Sequence, residues 1–129
     1  MRTRIVVALA VISGFGLGAV TTEGLRAQAK PPVYVIAEID VRDVEPYTKD
    51  YAPRAQAIIK QYGGRFLAAG QNVTSLEGAP PKTRVVIQQW ESMEKVQAWW
   101  NSSERKEIRP IGEKYASFRL FTVEGVPQQ

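Results

Sequence analysis

The chemistry open to this chain rests on carboxylates, arginines, tyrosines and side-chain amides, because it contains no histidine and no cysteine. Ser-His-Asp and Cys-His catalysis are excluded. So are thiolate and imidazole metal centres, which leaves only oxygen-ligated hard cations; no metal site is expected. Haem held by a proximal histidine or cysteine is excluded as well. There is no phosphate loop and no dinucleotide fingerprint, since Gly63-Gly64 lacks their spacing, and no cofactor is expected. Six residues are the candidates for a ligand pocket: Tyr34, Glu38, Arg65, Gln88, Trp90 and Arg119. Glu38 would act as a general base in a partly desolvated site. Arg65 or Arg119 would pair with an anionic group, and Trp90 would stack on an apolar ring. None is assigned a catalytic role, because the same residues also fit an interface ion pair between Glu38 and an arginine.

Other chemistry-bearing residues read as structure. Adjacent positions on a helix point about 100° apart, so Trp99 and Trp100 cannot line one face; one belongs to a core and the other to an interface. Tyr47, Tyr51 and Tyr62 fit a helix–sheet core with their hydroxyls at its margin. Glu104-Arg105-Lys106-Glu107 reads as a solvated helix surface.

These side chains need elements to hold them. Val33 to Val41 alternates apolar Val33, Val35, Ala37, Ile39 and Val41 with Tyr34, Ile36, Glu38 and Asp40, the period of a strand. Asp43 is placed to cap a helix over 44–62, whose buried stripe is Tyr47, Tyr51, Ala55, Ile58, Ile59 and Tyr62. Pro53 should kink or restart it, and Gly63-Gly64 should end it. A short strand over 65–69 follows, with a possible extension at Val73 to Leu76. The strand over 82–90 is apolar on both faces and should be central. Ser92 caps a helix over 93–101. A second helical stretch, 104–115, is interrupted by Pro110 and Gly112, and the last strand runs over 117–123.

The order strand, helix, strand, strand, broken helix, strand is that of the α+β, ferredoxin-like βαββαβ plait: a four-stranded antiparallel sheet with helices on one face. The other face would carry Tyr34, Ile36, Val86 and Trp90, too apolar to stay wet. Two copies packed sheet against sheet would cover it, so a homodimer is expected.

The N-terminus reads as an address. Arg2 and Arg4 precede an apolar or small stretch from Ile5 to Val20, and Ala27-Gln28-Ala29 is a small-x-small cleavage site. Residues 1–29 therefore read as a Sec-type signal peptide cleaved after Ala29, and residues 30–129 as one domain. The rival reading is a retained anchor, but that needs about 20 apolar residues, and Gly14, Gly16 and Gly18 weaken this stretch. The simple tripartite leader suggests a bacterial protein of the periplasm or medium, with no membrane association after cleavage. The leader carries three of the 17 basic and one of the 13 acidic residues, so 14 face 12 after cleavage, a net +2. With no basic cluster, nucleic acid is not an expected partner.

Several segments resemble one family: Val33 to Ile39, the Tyr62-Gly63-Gly64-Arg65-Phe66 run, Arg84 to Trp90, Ala98-Trp99-Trp100-Asn101-Ser102 and Leu120 to Gly125. They are similar to the family called "domain of unknown function 1330", over nearly all of residues 33–125. The resemblance implies a dimeric α+β barrel and brings no established activity. The family pattern commonly has an acid at the position of Gln89 and an aromatic residue at that of Arg105; this chain departs from it at both.

Three functions fit these readings. The first is a small-ligand binder with its pocket between sheet and helices or in the lumen of the dimer. The second is a cofactor-independent enzyme acting on a small organic acid or ring by proton transfer or oxygenation. The third is an interaction module that uses the open sheet face.

Overall fold

The computed structural model describes residues 30–127; the leader read over residues 1–29 and the last two residues lie outside them. Strand β1, Val33–Val41, alternates buried and half-buried positions along most of its length, as its period-two pattern dictates. It lies inside an antiparallel sheet of order β2-β3-β1-β4, where β2 is Arg65–Gly70, β3 is Arg84–Trp90 and β4 is Ala116–Glu124. Every neighbouring pair is antiparallel. This is the ferredoxin-like α+β plait expected from the element order.

The first helical layer is wound in three pieces: α1 over Val44–Pro46, a π-helical turn over Tyr47–Tyr51 and α2 over Ala52–Gln61. Asp43 stands at the N-cap, but its side chain makes no capping hydrogen bond. The restart expected at Pro53 takes the form of the π turn just before it, where the Ala52 N–H donates to the Tyr47 carbonyl five residues back. Proline offers no N–H, and its ring crowds the carbonyl four residues upstream; a wider turn relieves that clash. At the far end Gly63 has φ +105°, the left-handed conformation that ends the helix. Gly64 is required for a different reason. A Cβ there would sit 2.6 Å from both Ile59 Cγ2 and Trp90 Cζ2, so the chain passes too close to the core for any side chain.

The second layer is α3, Met93–Trp100, and α4, Ser103–Tyr115. Ser92 and Ser102 cap them by accepting from the Lys95 and Arg105 backbone N–H groups. The interruption expected at Pro110 and Gly112 is absent, because α4 runs through both. Gly112 packs under the Tyr51 ring, where a Cβ would lie 2.7 Å from Tyr51 Cε1. The extension expected at Val73–Leu76 does not form; residues 71–83 contain no strand. Among the described residues no helix is long and apolar enough to cross a membrane.

Sidedness differs from expectation at two residues. Val86 and Trp90 belong to the helix-covered face, not the open one. The register sets Val33 opposite Trp90 and Ala37 opposite Val86, and directly paired residues of an antiparallel sheet project to the same side. Trp90 is 1% exposed and packs on Trp99 at 5.3 Å. Because β3 is apolar on both faces, its periodicity alone carries no sidedness, and only pairing to β1 sets it.

A cleft between sheet and helices as the candidate functional site

The register divides the six pocket candidates between the two sheet faces. Tyr34, Glu38, Arg65 and Arg119 lie on the open face; Gln88 and Trp90 lie under the helices. Glu38 and Arg119 are direct cross-strand partners on β1 and β4, and they form an ion pair. Arg119 also lies over the Phe121 ring at 5.0 Å. Arg65 is exposed on β2 opposite Gln89. The open face thus holds an acid neutralised by its neighbour, set among the apolar Ile36, Ile87 and Phe121. The six residues do not form one pocket.

The concave site lies on the other face. Between the sheet and the two helical layers is a cavity of about 70 Å³. Its floor is formed by Ala37, Ile39, Val86, Gln88, Phe118 and Leu120 of the sheet. The π turn and α2 roof it with Tyr47, Tyr51, Ala52 and Ala55, and α4 closes it with Arg105, Ile108 and Arg109. Arg84, the first residue of β3, also lines it, on the same side of the strand as Val86. A second pocket of about 240 Å³, walled by Val41, Val44 and Thr48, shares Tyr47, Ala52, Gln56 and Arg84 with the first. The two pockets adjoin at these four residues; the one between sheet and helices is called the inner chamber and the other the outer chamber.

Three of the polar side chains lining the inner chamber, Gln88, Arg109 and Arg105, are held in place by hydrogen bonds. Gln88 is 2% exposed, and its Oε1 accepts from the Trp90 indole N–H at 2.9 Å. Indole is a donor only, so this bond fixes the amide orientation and leaves the NH₂ group for the chamber. The Arg109 guanidinium donates to the Tyr51 hydroxyl at 3.1 Å and lies over the Phe118 ring at 3.8 Å. Arg105 lies over Trp100 at 3.4 Å and donates to its carbonyl at 3.3 Å. Burial, and after it the neighbouring Arg109, lowers the Arg105 pKa to about 10. Burial, and after it Tyr51, raises the Tyr47 phenol above its ordinary value, opposed by Arg84 and Arg109. Tyr47 therefore stays protonated and serves as a donor, not as a base.

Of the two tryptophans, Trp99 is buried in the core, as expected of one of them, and Trp100 is 40% exposed, although both border a shallow pocket with Val96 and Leu120. The surface reading of residues 104–107 is corrected at its first two positions. Glu104 accepts from the Tyr62 hydroxyl at 3.1 Å and from Gln61, and Arg105 turns into the chamber. The sequence carried a usable signal, because Arg105, Ile108, Arg109 and Gly112 share one helical face, a stripe that mixes apolar and small residues with two cations. Among the described residues no group of three or more acidic side chains is placed to hold a metal ion.

The profile of the family described as "Domain of unknown function (DUF1330)" matches residues 32–126. No curated protein matches the chain. Among solved structures it is similar to a protein of unknown function from Rhodopseudomonas palustris, at 15% identity and TM-score 0.60, over 85% of this chain and 94% of that one. A cofactor-independent oxygenase from Streptomyces nogalater aligns at 10% identity and TM-score 0.55, over 77% and 95%. An EthD-like protein from Ralstonia eutropha aligns at 17% identity and TM-score 0.52, over 78% and 96%. At these identities the likeness concerns the fold.

Proposed function

This chain belongs to the domain of unknown function 1330 family, and from its two-chambered cleft we propose that it binds a small organic molecule between its sheet and its helices. The observation that carries this reading is the cavity itself. It is concave, mostly apolar and threaded by a few fixed polar groups, the usual make-up of a small-molecule site. The inner chamber is smaller than the roughly 150 Å³ that admits benzene. A ligand would place one functional group inside and its body in the outer chamber. The test is a thermal-shift screen of small acids, phenols and quinones against the chain and its Ala55→Leu variant. Hits that stabilise the parent and not the filled variant support the reading; hits indifferent to the filling count against it.

The open sheet face supports a homodimer as the working form. Ile36, Val85 and Ile87 are half-buried there, and Phe121 and Val123 are 42% and 51% exposed. Neighbouring apolar side chains of this kind are what a second copy would cover. The leader read over residues 1–29 supports export to the periplasm or medium.

The enzymatic reading has less support. No acidic side chain is among the residues lining the cavity, so proton abstraction there lacks a carboxylate base. The one observation on its side is that the Streptomyces nogalater neighbour, alike in fold, is a cofactor-independent oxygenase.

A further inference from the structure

Resting on the cleft as the binding site, we propose that its ligand is a small carboxylate, with the anionic group held in the inner chamber by Arg105 and Arg109 and the carbon body lying past Arg84 in the outer one. Most of the polar groups that line the inner chamber are donors; Gln56, whose amide both donates and accepts, is the exception. Three guanidiniums line it: Arg84, Arg105 and Arg109. The Gln88 oxygen is occupied by Trp90, which leaves its NH₂. The Tyr51 oxygen accepts from Arg109, which leaves its O–H. A chamber of donors is completed by an acceptor-only group, and a carboxylate, with two oxygens and about four lone-pair sites, is the compact organic group of that kind.

Charge leads to the same ligand. Among the described residues no carboxylate lies within 4 Å of any of the three arginines; the ion pair present is Arg119–Glu38 on the opposite sheet face. Arg105 and Arg109 are four residues apart on α4 and repel each other. Of the groups acting on Arg105, Glu113 is the weakest. Guanidinium pairs in a partly dry site are stabilised by a bidentate anion between them. The stacking of Arg105 on Trp100 and of Arg109 on Phe118 holds both forks in place before any ligand arrives. The outer chamber supplies Val41 and Val44 as apolar contacts for a short chain or ring.

The test compares acids with their uncharged amides. Calorimetric titration of the full chain with butyrate, succinate and benzoate is run beside butyramide, succinamide and benzamide. At least one acid is expected to bind tenfold or more tightly than its amide, and Arg105→Gln and Arg109→Gln should each lose at least tenfold. Arg54→Gln, which removes an exposed charge on α2, is expected to change nothing. Amides that bind as well as acids would overturn the anion assignment while leaving the cleft as a ligand site. Acids that bind with full strength in both arginine variants would overturn the placement in the cleft. No binding by any of the six compounds would overturn the anion assignment, with the broader screen left to judge the cleft. Should either variant fail to fold, the acid-to-amide comparison on the parent chain still decides.

Discussion

At the scale of single residues, the cleft depends on what is missing as much as on what is present. Gly112 is the clearest case. Replacing a mid-helix glycine by alanine ordinarily stabilises a helix by about 1 kcal/mol. Here the added methyl would meet the Tyr51 ring at 2.7 Å, and an aromatic ring packed against Tyr47 and Phe118 cannot yield by a small rotation. Overpacking of this kind costs roughly 1–3 kcal/mol, so the clash outweighs the propensity gain. Gly112→Ala is therefore expected to lower the urea midpoint and weaken ligand binding together. Arg105 sets the pH behaviour of binding. Its pKa, lowered to about 10 by burial and by Arg109, keeps it charged through neutrality. Carboxylate affinity should hold up to pH about 9 and fall as pH rises through about 10, where this proton is lost. The free protein should show no matching loss. A cation with a depressed folded pKa is a cost below that pKa, and the cost is relieved between it and the higher unfolded value.

At the scale of elements, the two helical layers are tied by one half-buried cluster. Glu104 at the start of α4 accepts from Tyr62 and Gln61 at the end of the first layer. Its own backbone N–H, then the Tyr62 and Ser103 hydroxyls, hold its carboxyl below the usual range. A depressed folded carboxylate contributes stability above its unfolded pKa and loses it as pH falls through the folded value. Glu104→Gln should therefore remove a small contribution at neutral pH, flatten the acid limb of a stability–pH curve below pH about 4.5, and leave stability in stronger acid little changed. Much of this level was legible in advance. The period-two stripe of β1, the helix stop at Gly63 and the cap at Ser92 are local signals, and each stands in the structure. What was not legible was sidedness across strands. Trp90 and Gln88 lie with the valines of β1 because of pairing between residues more than fifty positions apart, which no local pattern encodes. The cleft itself was missed for a related reason. Arg105 reads as solvated until α4 is docked, and the π turn that aims Tyr47 and Tyr51 inward follows from Pro53 only once the helix is built.

At the scale of the molecule, the sheet gives its two faces different roles. The covered face encloses the cleft proposed as the ligand site, and the open face presents apolar side chains around the Glu38–Arg119 pair. If a second copy covers that face, solution mass by light scattering should be twice that of the chain, and Phe121→Glu should shift it toward the monomer. A monomeric parent chain would remove the dimer from the account without touching the cleft. The most direct test of the account as a whole is a heteronuclear NMR titration with the tightest-binding carboxylate, following side chains on both faces at once. The account predicts that the Gln88 amide, the Trp99 indole and the Arg105 and Arg109 Nε–H signals move with saturation, while Arg65 and Arg119 stay fixed. Movement confined to Arg65, Arg119 and Tyr34, with the cleft silent, would contradict it.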